Sequence, residues 1–521
     1  MNIFIQIKNR PIGFYFLIYV SVLLSAFHVY AQVEIPKKPD SLKHKLQQES
    51  LLRELKTDID NLLDNNDFSN AVVGIAVQSL ESGEYLYRLN DKKNFLPAST
   101  LKVMTTAAAL DYLGPEYRYL TELYLDGRLE KSGEFFGNVI IRGTGDPTLK
   151  REFNEKPLAV LQSWAEKLDS LGVRSIRGNI IGDDNFFDQV YYGPGWAWDD
   201  IPFSYSAQVN ALSIWGNRVD INVMQGDSAG EPAYIDIIPN NDYIRVINNV
   251  RTAPPDGLTE IHYLRDWGAN LIELFGTIKF DTSGIESELL SVTIDNPTLY
   301  FLNLFRHTLA RKNIRFRGAL IDVDDLNERI VYTPDMKVAE YRSPPLSEII
   351  KIINKKSDNL AADMLLKTLG RESSGIGSFD RGVNLVLKYA AKMGISPENI
   401  NVVDGSGLSR LNLFSPRYQV ALLASIYRSS YREIFMNSLA SPGEEGTLES
   451  RMLRSLAENN VVAKTGSLNG VSTLCGYITT RDRETLAFSI MIMNFTTQQT
   501  LAHNLEDLIC MRLASFTRKR K

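Results

Sequence analysis

The chain of 521 residues is 44% hydrophobic and 23% charged, with a formal net charge of −5. This composition is that of a soluble globular protein, the length predicts two to four domains, and the mild acidity argues against nucleic acid as a partner. Two cysteines and five histidines, without an H-E-x-x-H sequence, offer no cysteine-based zinc cluster and little for metal hydrolysis, so we expect no metal and no cofactor.

The N-terminus has the pattern of a secretory signal. Lys8 and Arg10 precede an apolar run, 12–29, that holds no charged residue, and the Val-Tyr-Ala sequence at 29–31 matches a signal-peptidase site. Cleavage after Ala31 removes two positive charges and leaves a mature net charge of −7. An uncleaved anchor is the alternative, because about 18 apolar residues can span a bilayer. Either way we expect a periplasmic or otherwise extracytoplasmic protein, with loose membrane association as an option.

The start of the mature chain predicts a helix, a strand pair and a second helix. Leucine and isoleucine recur at helical spacing between residues 51 and 63. The apolar segment 71–79 predicts a buried strand, and 85–90 predicts the strand that returns beside it. The second helix is predicted to begin after Pro97 and to end near Gly114.

A Ser-x-x-Lys sequence, Ser99 to Lys102, lies at the start of this second helix. Residues i and i+3 share a helix face, so the hydroxyl and the amine can meet. A serine hydroxyl is a weak nucleophile, and a lysine can act as its base when burial and neighbouring groups lower the lysine pKa. Such a tetrapeptide arises about twice by chance in a chain of this length, so alone it is a weak signal.

From about 115 to 335 the sequence changes to short strands with Gly and Pro turns, which predicts an inserted β-rich region of one or two domains. Tryptophan occurs only there, and core packing is favoured over a glycan-stacking platform for these five residues: Trp164, Trp196, Trp198, Trp215 and Trp267. A group of acids suggests a cation site, but turns and caps are favoured because calcium-loop spacing is absent: Asp183, Asp184, Asp188, Asp199 and Asp200.

Two further polar motifs follow the insertion. Ser357-Asp358-Asn359 comes after an apolar helical stretch, and its hydroxyl and amide can relay a proton and hold a substrate amide. Lys464-Thr465-Gly466-Ser467 lies on a predicted strand, where a lysine and two hydroxyls can bind a terminal carboxylate and Gly466 lets a substrate backbone lie close to the strand edge. Each triplet is expected only about 0.1 to 0.2 times by chance.

The C-terminal segment predicts strands at 461–467, 472–479 and 485–493 and a last helix. With the two N-terminal strands they form one five-stranded antiparallel sheet flanked by helices, an α+β fold drawn from both ends of the chain. We therefore predict that 32–114 and 336–521 form one domain and that 115–335 is inserted into it, as one or two subdomains. Cys475 and Cys510 are compatible with two alternatives, either two buried free thiols or a single disulfide between them.

The three motifs occur together in the order helix start, loop and edge strand, which is the set found in penicillin-binding proteins and class A β-lactamases. The sequence resembles the D-alanyl-D-alanine carboxypeptidase/endopeptidase family of low-molecular-mass penicillin-binding proteins, in the class with large inserted domains. The resemblance runs across nearly the whole mature chain and includes these segments: 142–149, 182–188, 195–200, 404–409, 443–448 and 463–476.

The resemblance implies a role for each motif residue. Ser99 attacks the carbonyl between two D-alanines, and Lys102 accepts the proton of the hydroxyl. Ser357 passes a proton toward the leaving amine, and Asn359 holds an amide of the substrate. Backbone N–H groups of Ser99 and Ser467 form the oxyanion hole. The terminal carboxylate is bound by side chains of the strand motif around Gly466: Lys464, Thr465 and Ser467.

Three functions are compatible with the residues. The first is a carboxypeptidase or endopeptidase for peptides that end in D-Ala-D-Ala, inhibited by β-lactams that acylate Ser99. The second is a serine β-lactamase or esterase on the same scaffold, against which the large insertion argues. The third is a non-catalytic cell-wall-binding protein, against which the intact Ser99 and Lys102 pair argues.

Overall fold

The structure is a computed structural model that describes residues 39–519, with side chains from residue 46. The predicted signal, 1–31, lies outside the described residues. Among the described residues, no helix is both long and apolar enough to cross a membrane. Cys475 and Cys510 are buried free thiols, so the disulfide alternative is not realised.

The N-terminal segment begins with a long helix, which is followed by two strands and a shorter helix. This shorter helix starts at Lys102, the lysine of the first motif. In chain order these are α1 (Pro39–Leu63), β1 (Val72–Ser79), β2 (Tyr85–Leu89) and α2 (Lys102–Leu113). The turn before α2, Ala98–Leu101, is 3₁₀ rather than α, so Ser99 lies one tight turn ahead of the helix in which Lys102 is the first residue.

The middle segment contains more strand than helix, but it has two helices that the β-rich prediction omitted. Both helices have a buried apolar face at helical spacing. In the first of them this face includes Leu161, Trp164 and Leu168. Its elements are β3 (Leu120–Leu129), β4 (Glu134–Gly143), α3 (Ala159–Ser170), β5 (Ser175–Arg177), β6 (Ile180–Asp183), β7 (Arg218–Met224), β8 (Tyr234–Ile238), β9 (Arg245–Ala253), β10 (Glu260–Arg265), β11 (Leu271–Lys279), β12 (Ser287–Thr293), α4 (Pro297–Arg311), β13 (Arg315–Arg317), β14 (Leu320–Asp322) and β15 (Lys337–Arg342).

The C-terminal segment supplies most of the helices and the three strands that the sequence predicted. They are α5 (Leu346–Lys355), α6 (Asn359–Ser374), α7 (Phe379–Lys392), α8 (Pro416–Tyr427), α9 (Arg432–Ser438), β16 (Val462–Leu468), β17 (Val471–Thr479), β18 (Thr485–Met493) and α10 (Gln499–Ser515).

One five-stranded sheet joins the two ends of the chain in the order β16-β17-β18-β1-β2, with every pair antiparallel. This confirms the predicted sheet and places β16 at its edge. Successive side chains of β1 alternate between the faces, so Ile75 and Val77 belong to the core with α1 and α10, while Ala76 belongs to the opposite core, where α8 packs on β1. Both faces of the sheet are therefore covered, and the edge of β16 remains for a ligand.

The middle segment forms separate sheets. A seven-stranded sheet contains β3 to β6 together with β13, β14 and β15, and two three-stranded sheets have the orders β10-β11-β9 and β12-β7-β8. Strand β15 follows the predicted boundary at residue 335 but pairs antiparallel with β3, so this sheet is completed only at Arg342.

Candidate active site

A cleft of about 640 Å³ opens at the edge strand β16. The turn before α2, the start of α6 and the 195–205 segment of the middle region form its other walls. Most residues of the three sequence motifs line it, while Lys102 and Lys464 are buried behind its surface. The motif residues in the wall are Ser99, Ser357, Asn359, Thr465, Gly466 and Ser467.

Lys102 joins the first two motifs. Its Nζ lies 2.7 Å from Ser99 Oγ and 2.6 Å from Asn359 Oδ1, and it also donates to the Ser406 carbonyl at 2.7 Å. These three acceptors match the three hydrogens of an ammonium group. When neutral, the amine can keep its bonds to Asn359 and Ser406 and turn its lone pair to the Ser99 hydroxyl. The geometry thus provides a base for Ser99.

The pKa of Lys102 suits this task. Burial lowers the pKa to about 8, against the opposing effect of three carboxylates, of Asp363, Asp404 and Asp358. Burial destabilises the charged ammonium because it loses hydration. Lys102 is therefore still mostly protonated at pH 7, and the neutral form that a general base requires becomes dominant above about pH 8.

Ser357 and Lys464 form a second hydroxyl–amine pair. Lys464 Nζ donates to Ser357 Oγ at 2.8 Å and to the Thr465 carbonyl at 2.8 Å. Burial, and then the positive charge of Lys102, lower the pKa of Lys464 well below its usual value. Ser357 has a φ of 61°, a strained conformation for a residue with a Cβ, and this conformation presents its hydroxyl to the cleft.

The side chain of Asp358 fixes the start of α6, and it is itself paired with a buried lysine. Asp358 caps the helix by accepting from the Ala361 N–H at 2.9 Å, and it forms an ion pair with Lys150 of the middle segment. The Lys150 charge opposes burial, and the net result is a lowered pKa for Asp358. Because Asn359 is the next residue, this pair positions its amide between Lys102 and the Tyr205 carbonyl, to which Asn359 Nδ2 donates at 2.9 Å.

Lys150→Met is expected to destabilise the fold by about 3–5 kcal/mol, because it leaves the Asp358 charge buried without its partner. The Lys150 and Asp358 side chains are only 4% and 10% exposed. The matched control is Lys351→Met, which breaks an exposed pair with Glu348 and should cost less than about 1 kcal/mol. Urea unfolding of both variants measures the difference, and equal midpoints would contradict the buried-pair argument.

Gly466 is packed against the nucleophile turn. A Cβ at this position would lie 2.3 Å from Thr473 Oγ1 and 2.8 Å from the Ser99 backbone nitrogen. The sequence attributed this glycine to a close substrate backbone, whereas the structure shows that it lets β16 approach Ser99. The neighbouring Thr465 hydroxyl donates to Thr447 Oγ1 at 2.8 Å, and Ser467 lines the cleft beyond it.

Gly466→Ala is therefore expected to reduce the rate of acylation by about 100-fold, because the methyl group must displace the Ser99 backbone nitrogen and a misplacement of about 1 Å at a reacting centre costs about that much. Gly284→Ala is the control, since a Cβ there meets nothing within 4 Å. Stopped-flow acylation by a chromogenic β-lactam measures both. An unaffected Gly466→Ala protein would show that the contact does not set the Ser99 geometry.

Comparisons with known proteins identify the family of this chain. The model of the D-Ala-D-Ala carboxypeptidase 3 (S13) family matches residues 55–515. The chain belongs to this family. A D-alanyl-D-alanine carboxypeptidase from an Actinomadura species is 32% identical over 475 residues, which cover 89% of this chain and 85% of that protein.

Two solved structures show the same fold. Penicillin binding protein 4 from Haemophilus influenzae has a TM-score of 0.75 at 25% identity, covering 87% of this chain and 97% of that one. Its complex with a β-lactam has a TM-score of 0.70 at 24% identity, covering 87% and 98%. The family match confirms the predicted serine-type D-Ala-D-Ala carboxypeptidase, and the structures confirm the predicted α+β penicillin-binding fold.

The turn 404–409, which the sequence indicated only as a tight turn that could flank the cleft, contacts Lys102 in the structure. The Ser406 carbonyl accepts from Lys102, and the turn that carries it is held by Asp363 of α6, whose Oδ1 accepts from the N–H groups of Gly405 at 2.6 Å and Ser406 at 3.1 Å. Asp404 Oδ1 accepts from the Gly407 N–H at 2.9 Å. Ser406 is thus a contact of Lys102 and Asp363 positions it, and no motif identified either residue.

Four of the five acids that the sequence singled out in the middle segment accept hydrogen bonds from other side chains. Their partners are Tyr332 for Asp183, Asn210 for Asp184, Lys367 for Asp188 and Tyr205 for Asp200. Asp184, Asp322 and Asp324 have carboxylate oxygens within 4.8 Å of one another. Burial, and then the charge of Asp184, raise the pKa of Asp322 to about 7, so that a proton on Asp322 relieves the repulsion near neutral pH.

Proposed function

We propose that this protein hydrolyses peptidoglycan stem peptides at the D-Ala-D-Ala bond through an acyl-enzyme on Ser99, and that β-lactams acylate the same hydroxyl. The observation that carries the proposal is the 2.7 Å contact between Lys102 Nζ and Ser99 Oγ at the wall of the cleft. The Ser357–Lys464 pair and the Asn359 amide complete a set that can exchange protons with both sides of a peptide bond.

The acylation step follows from these contacts. Neutral Lys102 takes the proton of Ser99, and Ser99 Oγ bonds to the peptide carbonyl carbon. The oxygen becomes negative and is stabilised by the backbone N–H groups of Ser99 and Ser467. The C–N bond then breaks as the leaving amine takes a proton from Ser357, which takes one in turn from the ammonium form of Lys464, a form that the carboxylate of the bound substrate favours. This step leaves Lys102 protonated and Lys464 neutral. Water then attacks the ester carbonyl carbon and gives a proton to Lys464 through Ser357. The C–O bond to Ser99 breaks as Ser99 Oγ takes back the proton held by Lys102, so both lysines return to their starting forms.

The terminal carboxylate of the substrate meets the outer part of the β16 motif. Thr465 and Ser467 line the cleft, whereas Lys464 is fully buried and donates to Ser357. We therefore assign the direct contacts to the two hydroxyls and let Lys464 act through Ser357. Its positive charge, when present, lies one side chain behind the carboxylate.

Release of D-alanine tests the proposal. The protein is incubated with a stem pentapeptide that ends in D-Ala-D-Ala and, separately, with a crosslinked dimer in which a D-alanyl bond joins two stems. Free D-alanine indicates the carboxypeptidase reaction and monomer stems indicate the endopeptidase reaction. Cleavage of neither substrate by a protein that is folded by circular dichroism would refute the proposal.

We further propose that the protein is exported, with cleavage after Ala31, and that 32–114 and 343–521 form the catalytic domain around the inserted middle segment. The pairing of β15 with β3 supports the later return at residue 343. N-terminal sequencing of the exported protein tests the cleavage, since a mature chain that does not start at Gln32 would contradict it.

A further inference from the structure

The hydroxyls of Thr465 and Ser467, to which the terminal carboxylate of the substrate is assigned, differ in the hydrogens that they can offer. A hydroxyl has one hydrogen and rotates to suit its partners. The Thr465 hydroxyl donates to Thr447 Oγ1 at 2.8 Å, so its hydrogen already has an acceptor. Of the two hydroxyls, that of Ser467 is therefore the one that can donate to a carboxylate, and its orientation matters for binding.

The first part of α10 lies behind Ser467, and its polar residues face the hairpin of β16 and β17. Gln499, His503 and Glu506 share one face of this helix, because they follow one another at spacings of four and three residues. His503 Nε2 and Gln499 Nε2 each lie 3.5 Å from Ser467 Oγ. Deeper in the protein, the buried Glu506 accepts at 2.7 Å from Ser472, which is opposite Ser467 in the register of β16 with β17. This polar face thus follows the hairpin from the cleft into the core.

Hydrogen bonds fix the start of α10 at this place. Arg451 donates to the His503 carbonyl at 3.1 Å and to the Asp507 carboxylate at 2.7 Å. Gln499 Nε2 donates to the Val471 carbonyl at 3.1 Å, which joins the first residue of α10 to β17. The side chains behind the cleft are therefore in position before a ligand arrives.

The ring of His503 can hold its hydrogen on either nitrogen. Burial, and then the charge of Arg451, lower the pKa of His503 below its usual value, against the effect of Asp507, so the ring is neutral near neutral pH. With the hydrogen on Nε2, the ring donates to Ser467 Oγ and leaves the Ser467 hydrogen free to turn into the cleft. With the hydrogen on Nδ1, Nε2 accepts from the Ser467 hydroxyl or from Gln499 Nε2, which lies 3.4 Å away. The tautomer of His503 thus decides where the Ser467 hydrogen points.

We propose that His503, with Gln499 beside it, is a positioning residue for the terminal carboxylate of the substrate; this rests on the stem-peptide activity proposed above. A Ser467 hydroxyl that donates to the carboxylate can only accept from the ring, so the bound carboxylate selects the tautomer with the hydrogen on Nε2. Gln499 then turns an amide hydrogen to Ser467 Oγ as well. The contacts of 3.5 Å shorten in the complex, since hydrogen bonds in active sites are often long before the substrate binds.

Binding to a protein that cannot cleave its substrate tests this role. Ser99→Ala is titrated calorimetrically with a stem pentapeptide that ends in D-Ala-D-Ala and, separately, with the C-terminal amide of the same peptide. Adding His503→Leu, which removes the donor, should raise the Kd of the acid about tenfold, the value of one hydrogen bond, and should not change that of the amide. His503→Gln should restore most of the affinity for the acid, because its amide nitrogen can donate from the place of Nε2. His262→Leu, at an exposed ring of β10, is the control and should change neither Kd.

An unchanged Kd of the acid in His503→Leu would overturn the proposal. An equal loss for acid and amide would indicate a structural role and overturn it too, as would a His503→Gln protein that binds the acid no better than His503→Leu.

Nitrogen NMR of the His503 ring in Ser99→Ala gives a second readout. The acid peptide should move the Nε2 signal to the shift of a protonated nitrogen, and the amide should not; no movement with the acid would overturn the proposal. Failure of the wild type to cleave the pentapeptide would refute the proposed function, whereas the titrations of Ser99→Ala still decide the role of His503. If Ser99→Ala binds neither peptide, the positioning role is refuted as well.

Discussion

A Ser99→Ala protein is expected to lose covalent labelling by fluorescent penicillin and about 10⁴-fold or more of its D-alanine release, because the bond-forming oxygen is absent. Ser99 is only partly buried and its Oγ is a contact of Lys102, so its removal should leave the fold intact. The measurement is a labelled band on a denaturing gel, beside thermal unfolding to show that the variant is folded.

Ser467→Ala is the matched control, since it removes a hydroxyl from the same cleft without removing the nucleophile. It should still be labelled, more slowly. A band that persists in Ser99→Ala would place the acyl group on another side chain, and peptide mapping of the band would identify it. If the wild type shows no band, hydrolysis of the β-lactam in the same tube separates rapid deacylation from absent acylation.

The sequence predicted the catalytic sheet and all three motifs because each depends on local pattern. β1 and the three C-terminal strands are short apolar runs between turn residues, and Ser99 and Lys102 need only helical spacing to meet. The helices α3 and α4 were not predicted, because the Gly, Pro and Trp content of the middle segment outweighed their apolar periodicity. Regular apolar spacing around Trp164 was the signal that would have found α3.

The partners of Lys102 could not be predicted in the same way. The Ser406 carbonyl is a backbone atom, and only the packing of two distant segments brings it to the lysine. Asp363, in contrast, could have been identified from the residue spacing on α6. Asn359, Asp363 and Lys367 recur every fourth residue on α6 among apolar residues, and a charged group on a buried helix face must have a partner. That pattern indicates a polar site beneath the cleft, but not which residue it contacts.

The second large effect is expected at Lys102. Lys102→Ala should lower the acylation rate by about 10³-fold or more, because Ser99 loses its base. Lys102→Arg should be nearly as inactive, since a guanidinium keeps the charge but cannot accept a proton at any working pH. Acylation by a chromogenic β-lactam measures both variants. An active Lys102→Arg protein would show that acylation depends on the positive charge of Lys102 and not on its lone pair.

The acylation rate of the wild-type protein should rise with pH toward about pH 8, because the lowered pKa of Lys102 leaves the reactive neutral amine dominant only above that value.

Asp363→Asn should move this rising limb of the pH profile to lower pH. Burial raises the pKa of Asp363 to about 8, so Asp363 and Lys102 titrate over the same pH range. The charged form of Asp363 raises the pKa of Lys102, so its removal favours the neutral amine, while the asparagine oxygen still accepts from Gly405 and Ser406. Asp363→Ala removes that acceptor as well and leaves two buried N–H groups unpaired, at about 1–3 kcal/mol each. We therefore expect Asp363→Ala to lose activity at every pH, whereas Asp363→Asn shifts the profile. If the rising limb of Asp363→Asn stays in place, the limb does not report the ionisation of Lys102.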